Sequence, residues 1–362
     1  MAELAAPAPL FAARRSEGDR SGLGRAAIVV LALLLAATCM LSLTSGATDA
    51  AFFDVLLDAV RGTDHASARD TVVIVSIRLP RLILGMLVGS GLAVSGLLMQ
   101  GLFRNPLADP GLVGVSSGAG LGAVSLIVLG GTALAPVAAI LGIYAIQLAA
   151  FGGGLATTFI LYRVATRNGQ TAIATMLLAG IAIGALSGAI TGMMVYVAND
   201  QQLRDLTFWG LGSLAGANWT KVLASAPIIV AALAASFLLR RGLNALTLGE
   251  ASAHHLGVNV EWLKRSAIVT VAAATGASVA VSGGIGFVGI VVPHLLRLVI
   301  GPDHRYLLPA SALLGATFLL AADAVSRTIV APAELPIGIV TATVGGPFFL
   351  WVLLARRNRL AW

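Results

Sequence analysis

Two adjacent histidines, His254 and His255, lie in the most polar stretch of the chain, residues 247–265. An imidazole can ligate a metal ion or transfer a proton, so the pair suggests a metal site or a catalytic site. However, successive residues of a helix point to different faces, and no H-E-x-x-H or C-x-x-C pattern accompanies the pair. The sequence therefore predicts no metal site, and a surface that binds another protein is the alternative to catalysis.

Two further patterns match catalytic or nucleotide-binding motifs. Residues 114–118 (GVSSG) fit G-x-S-x-G, which requires a strand before the serine, yet they open an apolar helix. Residues 284–289 (GIGFVG) fit G-x-G-x-x-G without the preceding strand, so we expect a glycine-rich turn between two spans. The only lysines, Lys221 and Lys264, do not belong to a P-loop. The sequence thus predicts no catalytic residues and no ATP bound by this chain.

The composition indicates a membrane protein, because 58% of the residues are hydrophobic and 11% are charged, against about 25% charged in soluble domains. A membrane span needs about 20 apolar residues. We predict an all-α polytopic protein in which a cytoplasmic extension (residues 1–25) precedes a domain of about ten transmembrane helices (residues 26–362). The predicted spans are residues 26–45, 80–103, 112–130, 134–162, 172–197, 219–239, 266–282, 286–300, 307–327 and 337–355.

The net charge of +7 reflects topology and not nucleic-acid binding. With the N-terminus inside, sixteen of the 23 lysines and arginines fall in inner segments and seven in outer ones. Cytoplasmic loops carry this excess, so we expect both termini inside. The polar stretch 247–265 then lies inside as well, between spans six and seven.

A short repeat suggests an internal symmetry. The tetrapeptide AVSG occurs at residues 93–96 and 280–283, and the same offset aligns Gly89 with Gly276. Five spans separate the copies, so the two would cross in opposite directions, as in the inverted repeats of transporters. An accidental match between two glycine-rich helices is the alternative.

Four glycines, Gly180, Gly184, Gly188 and Gly192, are spaced four apart in the fifth span. This spacing gives one smooth helix face. The face could line a pathway or pack closely against another helix.

Residues 78–120 resemble the permease signature of type II ABC importers for cobalamin, ferric siderophores and heme. Further matching stretches extend the resemblance to about residue 355: TLGEASAHHLGVN, VSGGIGFVGIVVPHLLRL, GPDHRYLLPASALLGA and ELPIGIVTATVGGPFFLWVLL. The resemblance implies the fold of the cobalamin permease, a homodimer in the lipid of the bacterial inner membrane, and no nucleic acid. It also implies two cytoplasmic ATPase subunits, which bind ATP and Mg²⁺, and a periplasmic substrate-binding protein. No cofactor is expected on this chain.

The resemblance assigns docking of the binding protein to Arg78, Arg81 and Arg327, at the outer ends of spans two and nine. Arginine forms bidentate pairs with carboxylates, and such pairs fix the orientation of docking. For Arg327, an i,i+4 pair with Asp323 is the alternative, because these two residues are one helical turn apart.

The resemblance also assigns an inner gate to Asn105 and Leu107, opposite Ile173 at the start of span five. Family members often have small polar residues at the position of Ile173, so a hydrophobic constriction is expected here instead. A coupling loop for the ATPase is expected at about residues 244–265, with short helices at 249–256 and 259–264. Its predicted contacts are Gly249, Glu250, Ala251, His254, His255, Leu256 and Gly257, the last as a helix C-cap.

Residues 199–219 and 281–316 look most like the heme branch of the family, so heme is the predicted cargo. Arg204 could meet the heme propionates, although a solvated charge that pairs with Asp200 or Asp205 is the alternative. A ferric siderophore or cobalamin is the alternative cargo. A membrane-embedded hydrolase that uses Ser116 or Ser117 is the alternative of another class.

Overall fold

The computed structural model describes residues 20–45, 50–62, 67–167, 169–331 and 333–357. These residues are almost entirely helical. The helices are α1 (Ser21–Thr44), α2 (Phe52–Arg61), α3 (Ala68–Val72), α4 (Leu79–Phe103), α5 (Val115–Leu129), α6 (Ala135–Leu141), α7 (Ala145–Ala165), α8 (Ile173–Val197), α9 (Asp200–Leu211), α10 (Trp219–Leu246), α11 (Glu250–His255), α12 (Val260–Ser282), α13 (Val288–Ile300), α14 (His304–Thr328) and α15 (Ile337–Arg357). Two short strands, β1 (Thr166–Arg167) and β2 (Gln170–Thr171), pair in an antiparallel hairpin.

Ten apolar helical stretches lie at the positions of the ten predicted spans. Seven stretches of the described chain are long and apolar enough to cross a membrane, and α5, α13 and most of α15 are shorter apolar helices. The protein is therefore a multi-pass membrane protein. The predicted glycine-rich turn between two spans is also present, because residues 283–287 lie between α12 and α13.

Several boundaries differ from the prediction. The second span begins at Ala68 and not at residue 80, since a π-helical turn, Val73–Arg78, joins α3 to α4 without a break. The polar residues Arg69 and Asp70 hid this extension from a hydropathy criterion. Ser67 caps it, because its hydroxyl accepts a hydrogen bond from the Asp70 amide at 3.1 Å.

The polar stretch between spans five and six contains a helix that the sequence analysis did not predict. Asn199 and Gln202 form a capping box at the start of α9, which satisfies two backbone amides there. The β-hairpin between α7 and α8 was not predicted either. Gly169 allows its turn, because the turn needs a φ of +79°.

The core is built around α4, which is buried along most of its length against α10, α12, α13 and α14. Glycine permits two of these contacts. A Cβ on Gly89 would overlap the backbone of Gly315 in α14, and a Cβ on Gly96 would overlap the carbonyl oxygen of Gly289 in α13. One AVSG copy lies within α4, and the other forms the end of α12 and the glycine after it. These two helices contact each other in the core. The inverted symmetry of the two copies stays a prediction.

Candidate functional site

Three arginines and two carboxylates form a cluster where the start of α4 meets the end of α14. We call Arg78, Arg81, Arg327, Asp323 and Glu334 the arginine cluster. Arg81 donates to Asp323 from Nε and Nη2 at 3.1 and 2.9 Å. It also donates to Glu334 from Nη1 and Nη2 at 2.8 and 2.9 Å. One planar guanidinium thus binds two carboxylates, which is the geometry in which arginine pairs most strongly.

The other two arginines of the cluster bind the C-terminal end of α1. Arg78 donates to the carbonyl oxygen of Leu43 at 2.6 Å. Arg327 donates to the carbonyl oxygen of Ser45 at 3.2 Å and pairs with Asp323 at 3.1 Å. The last carbonyls of a helix have no partner within it, so these guanidinium groups satisfy them.

The three arginines that the resemblance assigns to docking are buried in this cluster. Arg78, Arg81 and Arg327 are only 5%, 7% and 8% exposed. Arg327 is therefore buried in this conformation, and it forms the i,i+4 pair with Asp323 that the sequence offered as an alternative to docking. The assignment of these arginines to docking stays a prediction.

Glu334 is the more accessible carboxylate of the cluster, with 36% of its side chain exposed, whereas Asp323 is fully buried. The hydrogen bonds from Arg81 hold the pKa of Glu334 below its usual range, against the opposing effect of burial. Glu334 was not predicted from the sequence, because nothing local indicates that a residue 253 positions from Arg81 contacts it.

The predicted gate residues Asn105 and Leu107 lie in the loop after α4. The Asn105 side chain accepts a hydrogen bond from the Leu107 amide at 3.0 Å, which folds the loop on itself. A short 3₁₀ turn, Pro110–Val113, follows and packs against α8. Ile173, the third predicted gate residue, begins α8 and is half-buried. The loop and α8 thus meet through this turn, and the gate itself stays a prediction.

The glycine face of α8 lines a cavity. Gly184 and Gly188 border a space of about 430 Å³, with residues of α5 and α9 on its other sides. A Cβ on Gly188 or Gly192 would meet no atom within 4 Å, and one on Gly184 would only touch Ser117 at 3.6 Å. Gly180 is buried. Within the described chain, Gly184, Gly188 and Gly192 thus form an open wall and not a tight helix contact.

Helix α11 lies near the end of α4 that is far from the arginine cluster, because a Cβ on Gly249 would lie 3.7 Å from the guanidinium of Arg104, the C-cap of α4. It begins after Gly249, which has a φ of +105°, and Gly257 ends it with a φ of +81°. The Gly257 amide donates to His254 and the Val258 amide to Ala253, at 2.9 and 3.0 Å. This is a Schellman motif, so the predicted glycine C-cap is confirmed.

The exposed face of α11 carries most of the predicted coupling residues: Ala251, His254, His255 and Leu256. The two imidazole rings are 6.3 Å apart, and no three metal-ligating side chains come together in the part of the chain that the structure describes. The second predicted short helix, residues 259–264, is wrong as a separate element. Asn259 caps α12, which begins at Val260 and continues through the span.

A second charged cluster joins α11 to its neighbours. We call Lys264, Glu250, Glu261 and Thr171 the Lys264 cluster. The Lys264 ammonium donates to the carboxylates of Glu250 and Glu261 at 2.9 and 3.1 Å and to the carbonyl oxygen of Thr171 at 3.1 Å. From the sequence, Lys264 was interpreted only as an inner positive charge, although its i,i+3 spacing from Glu261 indicates an ion pair.

Arg204 lies on α9 and is exposed. Its guanidinium donates to the Gln201 side chain at 3.0 Å, and within the described residues it forms no ion pair with Asp200 or Asp205. A contact between Arg204 and a substrate stays a prediction.

The sequence profile of the FecCD transport family matches residues 33–355. The chain is 50% identical over 284 residues to the hemin transport system permease protein HmuU of Yersinia pestis, which covers 78% of this chain and 84% of that protein. It is 46% identical over 288 residues to the cobalamin import system permease protein BtuC of Halobacterium salinarum. This match covers 80% of this chain and 75% of that protein. A solved structure of a metal-chelate type ABC transporter in an inward-facing conformation superposes with a TM-score of 0.79 at 31% identity, over 91% of this chain and 99% of that one.

Proposed function

Since this chain belongs to the FecCD transport family and is the permease subunit of an ABC importer, we propose that it forms the pathway for heme across the bacterial inner membrane. The observation that supports heme as the cargo is the 50% identity to a hemin permease. Cobalamin is the second candidate, because the BtuC relatives are 41–46% identical to this chain. The chain is a transporter subunit and not an enzyme, which removes the hydrolase alternative.

The family implies partner ATPase subunits and a substrate-binding protein. In our proposal, two ATPase subunits bind ATP and Mg²⁺ in the cytoplasm and contact α11. The binding protein docks in the periplasm, near the arginine cluster. Two features support this assignment: the two sites lie at opposite ends of the spans, and the exposed arginines Arg20, Arg25 and Arg305 lie at the same end as α11, as expected for the cytoplasmic side.

The proposed pathway runs between two copies of this chain in a homodimer. The open glycine wall of α8 supports this, because Gly188 and Gly192 face space that no other part of the described chain fills. Exposed apolar side chains on the same helix, such as Leu178 and Ile181 at 69% and 63%, suit a partner helix or lipid. A flat, largely apolar porphyrin suits a smooth apolar wall of this kind.

Docking at the arginine cluster would proceed by exchange of carboxylates. Arg81 already binds Glu334, which is accessible, so an acidic side chain of the binding protein would take the place of Glu334. Asp323 would remain as the buried partner that holds Arg81 in position. Such charge pairs contribute to orientation and encounter rate more than to affinity.

Reconstitution tests the proposed cargo. The permease, its ATPase and its binding protein would be assembled in lipid nanodiscs, and ATP hydrolysis would be measured with heme, cobalamin or a ferric siderophore on the binding protein. Heme is expected to stimulate hydrolysis most. Stimulation by cobalamin alone would exclude heme and leave the permease assignment intact.

A further inference from the structure

The Lys264 ammonium is bound by three separate structural elements. Its acceptors are Glu250 in α11, Glu261 in the first turn of α12 and the backbone of Thr171 in β2. An ammonium has three N–H donors, so all three are used. Lys264 is only 3% exposed, and bonds between charged groups shielded from water are stronger than exposed ones.

Thr171 is bound on both of its backbone groups by the same pair of side chains. Its carbonyl oxygen accepts from Lys264 at 3.1 Å, and its amide donates to Glu261 at 3.0 Å. The next residue, Ala172, is the N-cap of α8, and Ile173 begins that helix. The start of α8 is therefore fixed to the start of α12 by two hydrogen bonds.

The route from α11 to α8 crosses open space. A groove of about 1260 Å³ is bordered by α11, the β-hairpin and the starts of α8 and α12, with Lys264 among its lining residues. Glu250 on one side and Thr171 on the other both bind the Lys264 ammonium, so this side chain bridges the groove. The chain itself links α11 to α12 through a turn at Gly257, and within the described residues this turn makes no backbone hydrogen bond to the hairpin.

We infer that Lys264 is the positioning residue through which movement of α11 reaches the start of α8 and the α7–α8 hairpin. This inference rests on the proposed function, in which an ATPase subunit binds α11. The bridge makes α11, β2 and the first turn of α12 move together. Without it, α11 could shift against the ATPase while α8 stays in place, and coupling requires an element whose arrangement both sites bias.

The direct test replaces Lys264 by methionine, which keeps the length of the side chain and removes the charge. In the reconstituted complex, Lys264→Met is expected to bind the ATPase and hydrolyse ATP, whereas cargo moved per ATP falls on the order of tenfold, within the usual range of coupling between sites. Lys264→Arg keeps the charge and is expected to restore part of the loss. Arg265→Gln is the matched control, because this exposed neighbour binds the same hairpin at Gly169 without contacting α11.

A reporter at the start of α8 separates positioning from a general loss of structure. Ile173→Cys, in a background where the single native Cys39 is serine, would be labelled with a maleimide with and without ATP. We expect an ATP-dependent change in labelling rate that disappears in Lys264→Met while the rate without ATP is kept. If Lys264→Met does not assemble, Glu250→Gln removes only the ion pair between Lys264 and α11. The Glu250 side chain is 41% exposed, so this substitution disturbs the fold less. It is expected to lower cargo per ATP in the same direction.

Unchanged cargo per ATP and unchanged ATP-dependent labelling in the assembled variants would overturn the inference, with the proposed function still standing. A wild-type complex that hydrolyses ATP and moves none of the three cargoes would overturn the proposed function instead.

Discussion

Asparagine in place of Asp323 is expected to destabilise the protein far more than glutamine in place of Glu334, although both carboxylates bind Arg81. Asp323 is fully buried and pairs with two guanidinium groups, those of Arg81 and Arg327, at 2.9 and 3.1 Å. Its neutralisation leaves two buried cations beside each other. Removal of one partner from a buried ion pair costs about 3–5 kcal/mol.

Glu334 is different because water reaches it. Its side chain is 36% exposed, so its attraction to Arg81 is screened, and Arg81 keeps Asp323 when Glu334 is neutralised. Exposed pairs contribute about 0.2–1 kcal/mol. The effect of Asp323→Asn on the free energy of unfolding should therefore exceed that of Glu334→Gln roughly threefold or more.

Heating in detergent followed by size-exclusion chromatography gives the temperature at which half of the protein is lost. This midpoint is comparable among variants measured at one heating time, since membrane proteins often unfold irreversibly. Asp205→Asn, an exposed acid on α9, is the control and is expected to leave the midpoint unchanged. Equal shifts of the midpoint for Asp323→Asn and Glu334→Gln would show that burial of the carboxylate does not determine the loss of stability.

Three further predictions concern other contacts. The wild type should be more stable than Glu334→Gln above pH 4.5, because only the charged Glu334 carboxylate binds Arg81. This difference in stability should vanish as the pH falls through the lowered pKa of Glu334 in the folded state. A difference that persists in stronger acid would contradict this. Gly96→Ala should lower the heating midpoint, because its Cβ would overlap the Gly289 carbonyl, and overpacking costs about 1–3 kcal/mol; Gly188→Ala, with open space around it, should not. Gly257→Ala forces a side chain into a φ of +81°, at a cost of about 1–2 kcal/mol. It should weaken binding of the ATPase subunit in a pull-down, because the end of α11 loses its Schellman geometry; binding equal to that of the wild type would contradict this.

Hydropathy was sufficient for the spans, because lipid requires about 20 apolar residues in each long helix. It failed where polar residues belong to a helix. The start of the second span at Ala68 and the whole of α9 are examples, and both are recognisable afterwards by their caps, Ser67 and Asn199. Capping signals are local, so a search for them in the polar stretches would have found both helices.

The charged clusters could not be predicted in the same way. The sequence places Arg81 at the end of a span, but only the packing of α4 against α14 brings it to Asp323, 242 positions away. A charged side chain at the end of a span can face water, a partner protein or another charge. Which of these it contacts depends on how the helices pack. Only pairs within one helix, such as Asp323 with Arg327, are visible from spacing.

The two ends of the molecule share one arrangement. At one end, Arg81 binds a buried carboxylate of its neighbour α14 and the accessible Glu334. At the other, Lys264 binds Glu261 in its own helix and the more exposed Glu250 of α11. In each case a buried cation joins a span to a segment that, in the proposed function, meets a partner. A partner shifts a conformational equilibrium only by its different affinity for the two states. A partner that competes with the exposed carboxylate for the cation, or that moves the segment bearing this carboxylate, acts on the cation directly. The free energy of that exchange is then available to move the spans.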